Sequence, residues 1–136
     1  MVIEFETEIT LLSGHIQRLV IVVKYIESNL DKTMTASELS DIAFVSRYHF
    51  QRIFVAHVGV SAAQYIKLMR FKQASYQLAF RVEMSLLDIA FGCGFENASS
   101  LSREFKKILG ITPSSFRKAP NWALWHQIVD PLFAPI

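Results

Sequence analysis

The sequence predicts an all-α protein in which two helix-turn-helix units are joined by a long helix, and three observations carry that expectation. The segment Phe50-Gln51-Arg52-Ile53-Phe54, followed by Gly59-Val60-Ser61 and Tyr65, recurs fifty-one residues on as Leu101-Ser102-Arg103-Glu104-Phe105, Gly110-Ile111-Thr112 and Phe116. Upstream of each copy lies a matching helical stretch, Leu39-Ser40-Asp41-Ile42-Ala43-Phe44 and Leu86-Leu87-Asp88-Ile89-Ala90-Phe91. Apolar residues recur at three- and four-residue intervals through most of the chain, and strand patterns are almost absent. A helix pair needed twice suits a periodic target, and the DNA major groove is one.

From about Glu6 to Asn29, Leu12, Ile16, Leu19, Val20, Val23 and Ile26 mark one long amphipathic helix. The next opens on the capping box Thr35-Ala36-Ser37-Glu38 and runs to Ala43. Ser46 caps a third helix through about His57, ended by Gly59. Ser61 caps a fourth that reaches about Phe80, with Ile66, Met69, Phe71, Ala74 and Leu78 available for packing. The second unit starts at Ser85, turns through Gly92-Cys93-Gly94, resumes near Asn97 and closes at Gly110. Thr112-Pro113 caps a last helix, with Pro at its favoured first position. The implied units are 1–60, a linker helix over 61–80, a second unit over 81–118, and an apolar tail over 119–136.

Composition narrows the function. The 136 residues are 51% hydrophobic, enough for one or two small cores. Met1 to Thr10 carries acids where a secretory signal carries basic residues, and the longest apolar run, Leu19 to Val23, is far short of a membrane span. A cytoplasmic protein is expected. The single Cys93 excludes an internal disulfide, and with four scattered His it leaves no zinc-site spacing. Between two glycines, it reads as a small buried residue and not as a sensor thiol. His49 and His57 read as partly buried or phosphate-adjacent, because no third ligand accompanies them. Neither metal nor cofactor is expected.

The net charge of +2 is unevenly spread: residues 1–43 hold −4, residues 44–118 hold +7 and the remainder −1. Positive charge coincides with the repeat, as phosphate binding requires, although charge alone fits a solvated face equally well. Helical spacing divides the third helix into an inward side, Phe50, Ile53, Phe54 and His57, and an outward side, Arg47, Tyr48, Gln51, Arg52 and Val55. Arg pairs in bidentate fashion with guanine and Gln with adenine, and Tyr packs on a thymine methyl or sugar. In the second copy Leu101, Phe105 and Ile108 turn inward, and Asn97, Ala98, Ser99, Ser102, Arg103 and Lys106 outward. At offset fifty-one Arg52 meets Arg103, Gln51 meets Ser102, Tyr48 meets Ser99 and Arg47 meets Ala98, so the second surface is chemically poorer. Lys67, Arg70, Lys106, Lys107, Arg117 and Lys118 are further candidates for phosphate. A linker helix of 18 to 20 residues spans about 27–30 Å, close to the ~34 Å turn of B-DNA. One chain would then reach two successive major-groove segments of an asymmetric site.

From about Ile16 to Arg117 the chain resembles the DNA-binding domain of the AraC/XylS family of bacterial transcription regulators. The matching stretches are Ser37 to Ala43, Ser46 to Phe54, Arg70-Phe71-Lys72-Gln73-Ala74, Ile89 to Phe95, Leu101 to Lys106 and Gly110 to Arg117. The resemblance implies seven helices, two helix-turn-helix subdomains on a rigid linker helix, promoter recognition and contact with RNA polymerase. A monomer or weak dimer is expected. It also implies base- and backbone-facing roles for Tyr48, Gln51, Arg52, Asn97, Ala98, Ser99, Ser102 and Arg103. Members commonly carry Gln where Ala98 stands.

Two other function classes compete with this one. Ser46, His49 and Asp41 lie near one another, but the sequence has no nucleophile elbow, phosphate loop or metal motif, so an enzyme is not expected. A helical protein-interaction module would use the exposed helix faces and the tail, where Trp122, Leu124, Trp125, Ile128, Val129, Leu132, Phe133 and Ile136 are too apolar for a free end. The tail folds back, dimerises, or docks on something beyond this chain; its sequence allows each.

Overall fold

The computed structural model describes the backbone of residues 2–133 and the side chains of residues 14–133. Among them are eight helices and no strand: α1 (Val2–Ser28), α2 (Ala36–Ile42), α3 (Arg47–Val58), α4 (Ala62–Phe80), α5 (Leu86–Gly92), α6 (Ala98–Leu109), α7 (Pro113–Lys118) and α8 (Trp122–Phe133). The expected all-α arrangement holds, and the count of seven is corrected to eight. The tail is the added helix. Asn121 Oδ1 accepts the N–H of Leu124 at 3.0 Å, which starts it, and Trp125 and Val129, one turn apart, bury themselves against the second core.

Capping sets the helix starts. Thr35, Ser46, Ser61, Ser85, Asn97 and Thr112 each accept the N–H of the residue three further on, a device that contributes about 1 kcal/mol per helix. At Thr35 the described bond is one half of a capping box, from Glu38 N to Thr35 Oγ1 at 3.1 Å.

Two aromatic cores result. The first gathers α1 to α3 and the start of α4 around Phe50, Phe54 and Tyr65. The second gathers the rest of α4 with α5 to α8 around Phe71, Phe105, Phe116 and Trp125. Helix α4 belongs to both, giving Tyr65 and Ile66 to one and Phe71, Ala74 and Leu78 to the other. Buried Ser75 Oγ donates to Phe71 O at 2.9 Å and accepts from Trp125 Nε1 at 3.0 Å, so the one polar atom of each side chain is satisfied inside the core. The Tyr65 hydroxyl donates to Glu27 Oε1 at 3.1 Å. Burial, and then the Glu27 charge, push that phenol up to about 12.

Two expectations are corrected. In α1 the buried stripe is Leu19, Val22 and Ile26, whereas Ile16 and Val20 stand 50% and 45% exposed; Leu12 lies outside the described side chains. Spacing alone allowed either flank of the helix, and contact with α2 and α3 selects the one carrying Val22. The match of Leu39-to-Phe44 with Leu86-to-Phe91 is also out of structural register. The caps Thr35 and Ser85, and the buried pairs Leu39 with Ile89 and Ser40 with Ala90, correspond at offset fifty, not forty-seven. The turn bonds agree: Val45 N to Ser40 O in one unit is Phe95 N to Ala90 O in the other. One extra residue in the second turn then restores fifty-one between the caps Ser46 and Asn97.

Candidate nucleic-acid interface

Helices α3 and α6 are mounted alike. Ser46 and Asn97 open them, and Gly59 and Gly110 end them in left-handed backbone at φ 94° and 75°, a conformation glycine adopts without strain. Phe50, Ile53 and Phe54 are buried on α3, and Leu101 and Phe105 on α6, as their spacing predicts. Val58 fills the place expected for His57, which is half-buried, and Leu109 buries beyond half-buried Ile108. Most of the opposite side is turned out. Arg47, Tyr48, Gln51, Arg52 and Val55 are exposed on α3; Asn97, Ser99, Arg103 and Lys106 are exposed at α6, with Ala98 and Ser102 half-buried.

The α3 face has two arginines and no acid. The Arg52 guanidinium lies 5.7 Å from the centre of the Tyr48 ring, and its Nη1 donates to the Tyr48 hydroxyl at a long 3.5 Å. Five exposed side chains therefore offer a cation fork, an amide, an aromatic ring and a hydroxyl along one helix. The α6 face is more self-occupied. Arg103 Nη2 donates to Ser100 Oγ at 3.2 Å, and Ser100 Oγ donates to Asn97 Oδ1 at 3.1 Å. Asn97 Oδ1 also takes the Ser100 N–H at 2.8 Å, which leaves the Asn97 amide N–H pair for an outside acceptor. Ser100 was not singled out by sequence, because its role depends on two neighbours at three-residue spacing. Glu96 and Glu104 share a cleft of about 240 Å³ with Lys67, Arg70 and Arg103, so acids temper the field at α6 as they do not at α3.

Two of the phosphate candidates are engaged internally. Arg70 donates from Nε to Leu30 O at 3.0 Å and from Nη2 to Lys32 O at 2.9 Å, holding the turn after α1. Arg117 donates to Leu78 O, Met84 O and Arg81 O at 2.8 to 3.1 Å, holding the turn after α4. Lys67, Lys106, Lys107 and Lys118 remain exposed.

The fold gives His49 and His57 a neighbour that sequence did not. The His15 ring lies 5.2 Å from that of His49 and 6.3 Å from that of His57. Desolvation, then His49, His57 and Arg18, hold the His15 imidazole below its ordinary range. Among the described residues no three His, Cys, Asp or Glu side chains are arranged to hold a metal ion. Cys93 is fully buried, and burial pushes its thiol up to about 12, which leaves it protonated and inert at neutral pH. No helix of the described residues is long and apolar enough to cross a membrane.

Residues 39–119 match a family model described as a helix-turn-helix domain. The transposon Tn10 TetD protein of Escherichia coli is 33% identical over 103 residues, covering 76% of this chain and 74% of that protein. The transcriptional activator AarP of Providencia stuartii is 29% identical over 71% of this chain and 70% of its own. The uncharacterized regulator YbfP of Bacillus subtilis is 33% identical, but this chain spans 32% of its length. Among solved structures, the DNA-binding domain of AdpA in complex with a target DNA superposes with TM-score 0.70 at 28% identity, over 77% of this chain and 94% of that one. An AraC-type regulator from Chromobacterium violaceum shares the fold, with TM-score 0.68 at 23% identity over 80% and 99% of the two chains.

Proposed function

The chain belongs to the AraC/XylS family of helix-turn-helix, DNA-binding transcription regulators, and we propose that it reads an asymmetric double-stranded promoter site with α3 and α6 in successive major-groove segments. The observation that carries this reading is a pair of outward polar faces mounted on equivalent caps, Ser46 and Asn97, and equivalent inward apolar positions, with unequal chemistry. Arg47, Tyr48, Gln51 and Arg52 form the sharper reader: bidentate pairing of Arg52 with guanine and Gln51 with adenine discriminates bases. Asn97, Ala98, Ser99, Ser102, Arg103 and Lys106 form the shallower one, in which Arg103 is the main base contact and the small hydroxyls and Lys106 meet the sugar-phosphate backbone. The 19 residues of α4, about 28 Å long at 1.5 Å each, approach the ~34 Å helical repeat of DNA, and the DNA complex of the related AdpA domain supports the docking. In this reading residues 1–60 and 81–118 act as the two reading units, 61–80 as their spacer, and the outer surface touches RNA polymerase.

The test is the Arg52→Ala variant in quantitative DNA binding. It is expected to lose about 1–3 kcal/mol on the preferred site and to relax choice at one base pair, with little change on random DNA. Unchanged affinity on both kinds of DNA would sink the assignment of Arg52.

A further inference from the structure

Helix α1 starts at Val2, and among its described side chains the first buried one is Leu19. From Val2 onward every third and fourth residue in alternation is apolar: Val2, Ile9, Ile16 and Val23 occupy one set of positions, and Phe5, Leu12, Leu19 and Ile26 the other. This is an unbroken seven-residue repeat, and because one helix spans Val2–Ser28, its backbone places all eight positions along one seam. The seam has two owners. Leu19 and Ile26 are buried in the first core and Val23 packs against it, whereas Ile16, one turn earlier, is 50% exposed with Val20 beside it at 45%. A helix lying on a globular core follows a period near 3.6; a strict 3.5 is what two helices wound around each other require.

The residue types name the partner. In the first set Val2, Ile9, Ile16 and Val23 are all β-branched, and the second set is centred on Leu12 and Leu19. That combination favours two parallel strands. We propose that residues 2–16 of α1 form a parallel, two-stranded coiled coil with a second copy of this chain. In-register pairing of residues 2–16 sets position 8 opposite position 13 of the other copy, a Glu against a Ser, so no like charges meet across the seam. About two heptads is short for a coiled coil, so exchange with monomer at micromolar concentration follows. Because α1 runs without a break into the first core, the twofold axis of the coil relates the two DNA-reading bodies, and paired sites would be inverted copies of one asymmetric element.

The test is sedimentation equilibrium of the full chain without DNA, which makes its outcome independent of the DNA-binding reading. Between about 1 and about 100 µM the mass is expected to rise from 15.5 kDa toward twice that value. Ile9→Glu, ten residues before the buried Leu19, is expected to stay at the monomer mass with an unchanged melting curve. Ile9→Cys is expected to give a disulfide-linked dimer on oxidation and Thr7→Cys, at the position of the seven-residue repeat opposite the seam, none; buried Cys93 does not compete. A monomer at the highest concentration, a trimer, a dimer that survives Ile9→Glu, or a wild-type dimer whose Ile9→Cys variant forms no cross-link would each overturn the proposal.

Discussion

Phe44 and Gly94 hold the same place in the two turns, both with left-handed backbone, at φ 57° and 86°. Local space decides which must be glycine. A Cβ on Gly94 would collide with Leu30 O and with the Arg70 guanidinium, whereas the Phe44 side chain points into solvent, 82% exposed. Phe44 therefore bears only the conformational strain, and Phe44→Gly is expected to raise stability by about 0.5–1 kcal/mol. Gly94→Ala adds both strain and a clash with a carbonyl, for a loss of about 2–3 kcal/mol. Urea unfolding of the two variants checks both signs. The Gly-Cys-Gly motif marks the turn, and the structure puts the positive φ at Gly94 and leaves Gly92 as the last residue of α5. Phe44 was not legible, since no composition rule flags an exposed phenylalanine in a left-handed position.

At the level of elements, α8 closes the second core and the two half-buried arginine heads hold the turns that enter each unit. Trp125 is 2% exposed, so Trp125→Ala is expected to cost about 3–5 kcal/mol and to leave Ser75 without its donor. Differential scanning calorimetry should show a lower transition for this variant while the α3 face keeps its binding preference. The tail thereby ceases to be a free protein-binding segment. Arg117→Ala should cost about 2–3 kcal/mol of stability through three carbonyls that lose a charged donor, and Arg117→Lys should not restore it, because an ammonium cannot span the same fork. If Arg117 acted on phosphate, its loss would instead lower the salt slope of DNA binding by about one. The stability and salt measurements together separate the two roles.

In the function proposed above, the whole molecule acts as an asymmetric reader: one long helix, shared by two cores, spaces two unequal faces. Random-site selection is expected to return a sharp half-site facing α3 and a shallow one facing α6; two equally sharp half-sites would contradict the inequality. Affinity should fall roughly 10²–10⁴-fold between about 50 and 200 mM salt if several phosphates are engaged, against almost no change for an apolar protein interface. The excess of positive charge over residues 44–118 suits that dependence, although the withdrawal of Arg70 and Arg117 to carbonyls makes the usable field smaller than the charge count suggests.

The sequence by itself determined the first seven helices, the caps Thr35, Ser46, Ser61 and Thr112, and most of the split of α3 and α6 into inward and outward faces. Those depend on hydrogen bonds three residues away and on periodicity within a few turns, so Ser46, Phe50 and Phe105 announce their roles locally. Tertiary structure decided which flank of α1 is buried, which cations are free to meet phosphate, the register of the two turns and the fate of the tail. Those outcomes rest on partners far apart in the chain, Arg117 with Leu78 at 39 residues and Trp125 with Ser75 at 50, and no local pattern carries the energy of a contact that only folding creates.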